Sequence, residues 1–156
     1  LNTKIFEREQ YILKLKEKKL TIASCESLTG GLFAASLVSV SGASEVFVGG
    51  YVTYQNQAKA KILKGEEVLK KHGAISDEMA CLMALTAQND FGSDIAISFT
   101  GNAGPLADEN KPVGLVYSCL LIKNKAYHFK DQYQGNRNEI RNQCLLDAKK
   151  RILDLL

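Results

Sequence analysis

The sequence has little imidazole: its two histidines are His72 and His128. His72 precedes Gly73 and reads as the last residue of a helix, and His128 falls within a strand pattern, so a Ser-His-Asp triad is not expected. The four cysteines, Cys25, Cys81, Cys119 and Cys144, form no Cys-x-x-Cys pair and no Cys/His group at zinc spacing. Their apolar and helical surroundings fit buried free thiols in a reducing compartment. No apolar run reaches the length of a membrane span. The charged N-terminus lacks a signal-peptide core, so secretion is not expected. A net charge of +3 with scattered lysines is too small to argue for nucleic acid. The one lysine cluster, Lys14, Lys16, Lys18 and Lys19, alternates with apolar residues and reads as a solvated helix face. These absences point to a cytoplasmic protein with no nucleic-acid or membrane partner. The chain opens on leucine, so an initiator or a longer N-terminal part is expected to precede it.

What is present is one domain's worth of chain, residues 1–156, with 46% hydrophobic residues and enough length for a core of its own. Residues 3–19 read as an amphipathic helix with Ile5, Ile12 and Leu15 on one face. Residues 20–24 (LTIAS) suit a buried strand, and SLTGG then turns the chain into a helix over residues 32–40. A second strand is expected over residues 46–54, where Gly49 and Gly50 suggest a bulge or a close backbone approach. Short helices follow over residues 57–63 and 66–72. Ser76 is a good N-cap for a helix that runs to Phe91 and stops at Gly92. Residues 94–99 form a central strand, and residues 114–122 and 126–133 form an antiparallel pair joined at residues 123–125. A helix over residues 138–155 closes the chain, with no repeat, low-complexity segment or linker. The expected fold is α/β, a three-layer α/β/α sandwich with a mixed, mostly parallel sheet.

Ligands of open α/β sheets bind beyond the carboxyl ends of the strands. Three segments fall there: CESLTGG, TYQNQAK and TGNAGP. Each follows a strand and combines small residues with hydroxyl or amide groups, which points to a pocket. A helix starting near Gly30 would aim free N–H groups at Ser27, suiting an oxyanion or a phosphate, although Ser27 or Thr29 could equally be plain helix caps. Tyr54 and Lys59 could activate a serine hydroxyl, provided burial leaves the lysine neutral. By spacing alone they read equally as a strand-end aromatic and a solvated helix lysine. They are one residue too far apart for the Tyr-x-x-x-Lys of short-chain dehydrogenases, and neither a G-x-G-x-x-G nor a Walker sequence is present. TGNAGP could hold a phosphate or a sugar, or be a tight turn. Cys25, Glu26 and Lys59 could mimic a nitrilase-type set, but neighbouring strand residues face opposite ways, which opposes it.

Read in order, ESLTGG, TYQNQAK, HGAIS, TGNAGP, KPVG and QGNR are similar to the motifs ESCTGG, TYSNEAK, HGAVS, SGIAGP, KPVG and PGDR of one family. The sequence resembles the CinA C-terminal domain family, also found alone as bacterial nicotinamide-nucleotide amidohydrolase, from about residue 8 to the end. The resemblance implies an α/β/α fold and hydrolysis of the carboxamide of nicotinamide mononucleotide to nicotinate mononucleotide and ammonia. It implies Ser27 as nucleophile and Tyr54 and Lys59 as its activators, with Thr100 and Arg137 in the site. On that basis Thr29, Gly30 and Gly31 are expected to hold the oxyanion. Arg137 and the backbone of Gly101, Ala103 and Gly104 would orient the ribose phosphate, and Asn56 would bind the carboxamide. No metal or organic cofactor is expected for this reaction, and association with further copies of the chain is. Larger family members carry an N-terminal metal-dependent pyrophosphatase domain, for which 156 residues leave no room. Departures fall around the expected substrate. Asn102 replaces an apolar residue, Leu106, Ala107 and Asp108 replace a double glycine, Gln55 and Gln57 replace a Ser and a Glu, and Asn136 replaces an Asp. A nucleotide-binding or competence-related module without efficient chemistry, or a scaffold domain, are the alternative expectations.

Overall fold

The computed structural model describes residues 3–156, with side chains from residue 10 onward, so Ile5 lies outside the described side chains. Five strands, β1 (Ile22–Glu26), β2 (Phe47–Val52), β3 (Ile95–Gly101), β4 (Leu115–Ile122) and β5 (Lys125–Gln132), form one sheet in the order β2-β1-β3-β4-β5. The helices are α1 (Thr3–Glu17), α2 (Leu32–Val38), α3 (Asn56–Leu63), α4 (Glu66–His72), α5 (Asp77–Phe91) and α6 (Arg137–Leu155). A 3-10 turn at Ala43–Glu45 precedes β2.

Period-two alternation sorts the strands into two cores. Ile22, Ile95, Ile97, Phe99, Val116 and Leu120 face one side, where α1, α2 and α6 bring Tyr11, Ile12, Leu15, Phe33, Leu37, Ile140 and Ile152. Ala23, Cys25, Ala96 and Cys119 face the other, under Met79, Ala80, Met83, Ala84 and Ala87 of α5 and Leu63 of α3. Small residues on both sides let α5 lie close to the sheet, close enough for Ser98 Oγ to donate to the Ala80 carbonyl at 2.6 Å. The three-layer sandwich is therefore as the alternation of elements implies. Among the described residues no helix is long and apolar enough to cross a membrane.

The sheet is evenly mixed rather than mostly parallel. β1 pairs with β2 and with β3 in parallel, while β3–β4 and β4–β5 are antiparallel. The physical reason is connection length. No crossover helix separates β3 from β4, and β4 turns directly into β5, so both pairs return antiparallel. The glycine signal in β2 marks two things. The β1–β2 register shifts between Ile22 and Ala23, and a Cβ on Gly50 would lie 2.5 Å from Ser24 Oγ.

Ser76 caps α5 by accepting from the Met79 N–H at 3.1 Å, and Gly92 ends it in the left-handed region at φ 63°. At α6, Asn136 and Glu139 form a reciprocal capping box. That box fixes Arg137 as the first residue of the helix.

Candidate active site

The parallel strands β1 and β3 end together, and a cavity of about 450 Å³ opens beyond them. Ser27 is the first residue after β1. Its N–H still donates to the Phe99 carbonyl at 3.0 Å, which anchors its backbone to the sheet. After β2, the Thr53 N–H bonds the Glu26 carbonyl at 2.9 Å, and the chain turns into α3. Lys59 sits one turn inside that helix and reaches back under it, only 1% exposed.

Its amine has three partners. Lys59 Nζ lies 2.8 Å from Ser27 Oγ, 2.7 Å from the Thr53 carbonyl oxygen and 2.9 Å from the Tyr54 carbonyl oxygen. A carbonyl can only accept, so two N–H bonds are committed to Thr53 and Tyr54. The charged amine gives its third N–H to Ser27 Oγ while the Ser27 hydroxyl donates to the Tyr54 carbonyl at 3.4 Å; once the amine is neutral, its lone pair is free to take that hydroxyl proton. Burial pulls the Lys59 amine down from the usual 10.5 to about 8, against the opposing pull of Cys25, Glu109 and Asp108. A base with that value still carries its proton mostly at neutral pH, with about a tenth of it neutral at pH 7, and gives that proton up far more readily than an exposed lysine.

Tyr54 serves this contact through its backbone. Its side chain is half exposed, and its hydroxyl oxygen accepts from Arg137 Nη2 at 2.6 Å, so the hydroxyl takes no part in the Ser27–Lys59 contact. Of the two routes by which Lys59 could draw the Ser27 proton, directly or through Tyr54, the distances put the buried lysine itself against the serine. Arg137 Nη1 also donates to the Gly104 carbonyl at 2.7 Å. The guanidinium thereby bridges two rims of the cavity.

The floor and far wall come from the TGNAGP loop and the HGAIS segment. Asn56, Thr100, Gly101, Ala103, Gly104 and Arg137 line the cavity with Ser27, Tyr54 and Lys59. Thr100 Oγ1 donates to the Ala74 carbonyl at 2.6 Å. Glu109 accepts from the N–H groups of Ala74 and Ile75 at 2.8 and 3.0 Å, and Lys111 bonds the Ile75 carbonyl. Burial raises the Glu109 carboxyl, but those N–H bonds and Lys111 outweigh it and hold the group below its usual range. Asn102, the polar departure, is among the residues that line the cavity, but its side-chain hydrogen bonds stay within the loop. Its side chain accepts from the Gly104 N–H at 3.1 Å and donates to the Lys111 carbonyl at 3.2 Å, tying the loop to itself.

Thr29, Gly30 and Gly31, expected as oxyanion donors, do not line the cavity. Gly30 and Gly31 take left-handed backbone at φ 58° and 101°, and α2 begins at Leu32 rather than near Gly30. The Gly30 N–H bonds the Ser27 carbonyl at 3.0 Å. The next orphan donors of α2, the N–H groups of Phe33 and Ala34, are held at 2.9 and 3.1 Å by the buried carboxylate of Glu26. The residue beside Ser27 that does line the cavity is Leu28, whose N–H makes no internal hydrogen bond among the described residues.

A sequence model of the CinA C-terminal domain matches residues 6–156. The chain belongs to the CinA C-terminal domain family. A CinA-like protein of Fusobacterium nucleatum is 44% identical over 146 residues, covering 92% of this chain but 35% of that protein. The chain thus spans about a third of the length of this CinA-like relative. A Mycoplasma genitalium protein is 41% identical over 128 residues, which cover 81% of this chain and 82% of that one. Among solved structures, the competence/damage inducible protein of Agrobacterium tumefaciens superposes with a TM-score of 0.89 at 34% identity. That match covers 96% of this chain and 94% of its own.

Within this CinA domain, the rival nucleophile is sealed off. Cys25 points into the α5-side core, and burial pushes its thiol up to about 11. Its neighbour Glu26 faces the other way and is committed to α2. Two contributors were not singled out from the sequence: Leu28, through its amide, and Arg141. Arg141 Nε and Nη2 donate to the carbonyls of Leu28 and Thr29 at 3.0 and 3.1 Å, which holds the turn after Ser27. The available signal was the i,i+4 spacing from Arg137, which puts both arginines on one side of α6.

Proposed function

We propose that the chain hydrolyses the carboxamide of nicotinamide mononucleotide, with Ser27 as nucleophile and Lys59 as its base. The observation that carries this reading is the 2.8 Å contact between Lys59 Nζ and Ser27 Oγ, with the two amine N–H bonds already directed at backbone carbonyls. Serine is a weak nucleophile until a base takes its proton, and a buried amine near pH 8 suits that task.

In the proposed sequence, Lys59 accepts the hydroxyl proton as Ser27 Oγ bonds to the carboxamide carbon. The amide of Leu28 faces the developing oxyanion in place of the Thr29–Gly31 donors. Lys59 returns the proton to the leaving nitrogen, and ammonia departs. Water, deprotonated by the same amine, then cleaves the acyl-serine to give nicotinate mononucleotide and regenerate the hydroxyl. The cavity volume lies in the range of small-molecule sites. The N–H donors that Arg137 does not give to Tyr54 and Gly104 suit the substrate phosphate, and Asn56, also on the cavity lining, suits the carboxamide.

Equimolar release of ammonia and nicotinate mononucleotide is the direct test. Ser27→Ala should drop turnover by about 10³-fold or more while leaving the fold intact. Substantial turnover by that variant would remove Ser27 from the nucleophile's role. Binding of the mononucleotide without ammonia release would select the non-catalytic module instead. The polar departure at Asn102 lines the cavity, yet its side-chain bonds hold the loop and leave the Ser27–Lys59 contact in place.

A further inference from the structure

A second cluster of reactive side chains lies under α5, away from the cavity. Cys119 on β4 and His128 on β5 are cross-strand partners, so their side chains share one face of the sheet. Cys119 packs in the core under α5, so that face is the one the helix covers. Asp77 and Cys81 are four residues apart on α5 and therefore project from the same side of it. The crossing brings all four together. Cys81 Sγ is 3.2 Å from His128 Nδ1, His128 Nδ1 is 3.0 Å from Asp77 Oδ1, and Cys81 Sγ is 3.8 Å from Asp77 Oδ1. One donor atom each from Cys81, Cys119 and His128 falls within 4.8 Å of the others.

We propose that Cys81, Cys119 and His128, completed by Asp77, form a binding site for a soft divalent cation of the zinc type. Zinc bonds thiolate at about 2.3 Å and imidazole at about 2.0–2.1 Å in a tetrahedron. Donor atoms of such a tetrahedron are separated by roughly 3.4–3.8 Å, so Cys81, Cys119 and His128 need adjustments of about 1 Å to enclose an ion, and Asp77 closes in beside Cys81 and His128. Two sulfurs and an imidazole exclude magnesium and calcium, which require oxygen ligands. The burial gradient gives an entry path: Cys119 is fully buried, Cys81 is half-buried and His128 is exposed. Cys81 is the more exposed of the two sulfurs, so it is the one that meets an arriving ion first. On coordination both thiols become thiolates, and their two protons leave to solvent.

The bound ion would clasp the first two turns of α5 to the β4–β5 hairpin. Those turns directly follow Ala74 and Ile75 of the cavity wall, so the expected consequence is a stiffer α5 and not a part in the amide chemistry. The test is titration of the reduced, metal-stripped chain with cobalt(II). Saturation at one equivalent with thiolate-to-cobalt charge-transfer bands, reversed by zinc, is the expected result. Cys81→Ser and His128→Gln should each weaken binding at least tenfold, whereas Cys144→Ser, on the opposite face of the sheet, should leave it unchanged. His128 is exposed on an edge strand, so H128Q should fold, and a metal-free melt of that variant verifies it. Absence of one-equivalent binding, or wild-type affinity in either H128Q or C81S, would overturn the site. Because the readout is the metal's own spectrum, failure here leaves the amidohydrolase reading standing, and failure of that reading leaves this one.

Discussion

Replacing Lys59 by methionine separates the cost of burying an amine from everything else the residue does. Burial holds the amine at about 8 in the folded chain, against 10.5 when exposed. A difference of that size corresponds to about 3 kcal/mol of folding free energy, unfavourable at neutral pH. The unfolded chain binds this proton more tightly between pH 8 and 10.5, so the folded state gains stability as pH rises through that window. Below pH 8 both states are protonated and the full cost is present. Urea melts of the wild type and Lys59→Met, taken from pH 7 to pH 10, should therefore diverge by about 2–3 kcal/mol in favour of the wild type at high pH. Other titrating groups are common to both proteins and cancel in the difference, as does the fixed loss of the bonds to Thr53 and Tyr54. The same amine governs turnover. The kcat/KM for the mononucleotide should climb about tenfold per pH unit below 8 and level off above it. Lys59→Arg should be inactive across the range, because a guanidinium does not give up its proton. Parallel stability curves for wild type and Lys59→Met, or a flat rate profile between pH 6 and 8, would refute a buried, readily neutralised amine as the base.

Arg141→Met removes charged donors from the carbonyls of Leu28 and Thr29. Each such bond contributes about 1.5–3 kcal/mol, so a urea melt should show a loss of that order. Steady-state assays should show kcat falling more than KM changes; an unaltered kcat would mean that Arg141 does not position the Ser27 turn. Arg137→Met leaves the Ser27–Lys59 pair intact but removes the bridge between Gly104 and Tyr54. KM for the mononucleotide should rise about tenfold or more with a smaller change in kcat, as expected when a phosphate contact is lost. The corresponding nucleoside, lacking phosphate, should lose little, and an equal penalty for both substrates would take Arg137 off the phosphate.

The order of elements was legible because punctuation and periodicity agreed along the chain. Ser76 and Gly92 bound α5 where their chemistry requires, and the apolar face of α6 is the one buried. The reading weakened wherever a charged residue turns inward. Glu26 reads as part of the segment after a strand that ends at residue 24, yet it is the last residue of β1, fully buried, because two orphan N–H groups of α2 need an acceptor there. The helix begins at Leu32 as its apolar run implies, and the expected Thr29–Gly31 donors lie outside the cavity lining. Lys59 and Lys61 lie two residues apart on one short helix, and nothing in their spacing tells the buried one from the exposed one. Their difference is set by Thr53 and Tyr54, whose carbonyls β2 delivers beneath only one of them. Arg141 and the Cys81, Cys119 and His128 group were illegible for a related reason. The partners are 112 or 113 residues apart in the first case and set by strand register in the second. A linear pattern encodes which side of its own element a residue occupies; it does not encode what the neighbouring element presents there. Functional groups in this fold are buried charges answered by backbone from another segment, which is why the serine's strand–turn–helix could be found from local sequence and the lysine's role could not.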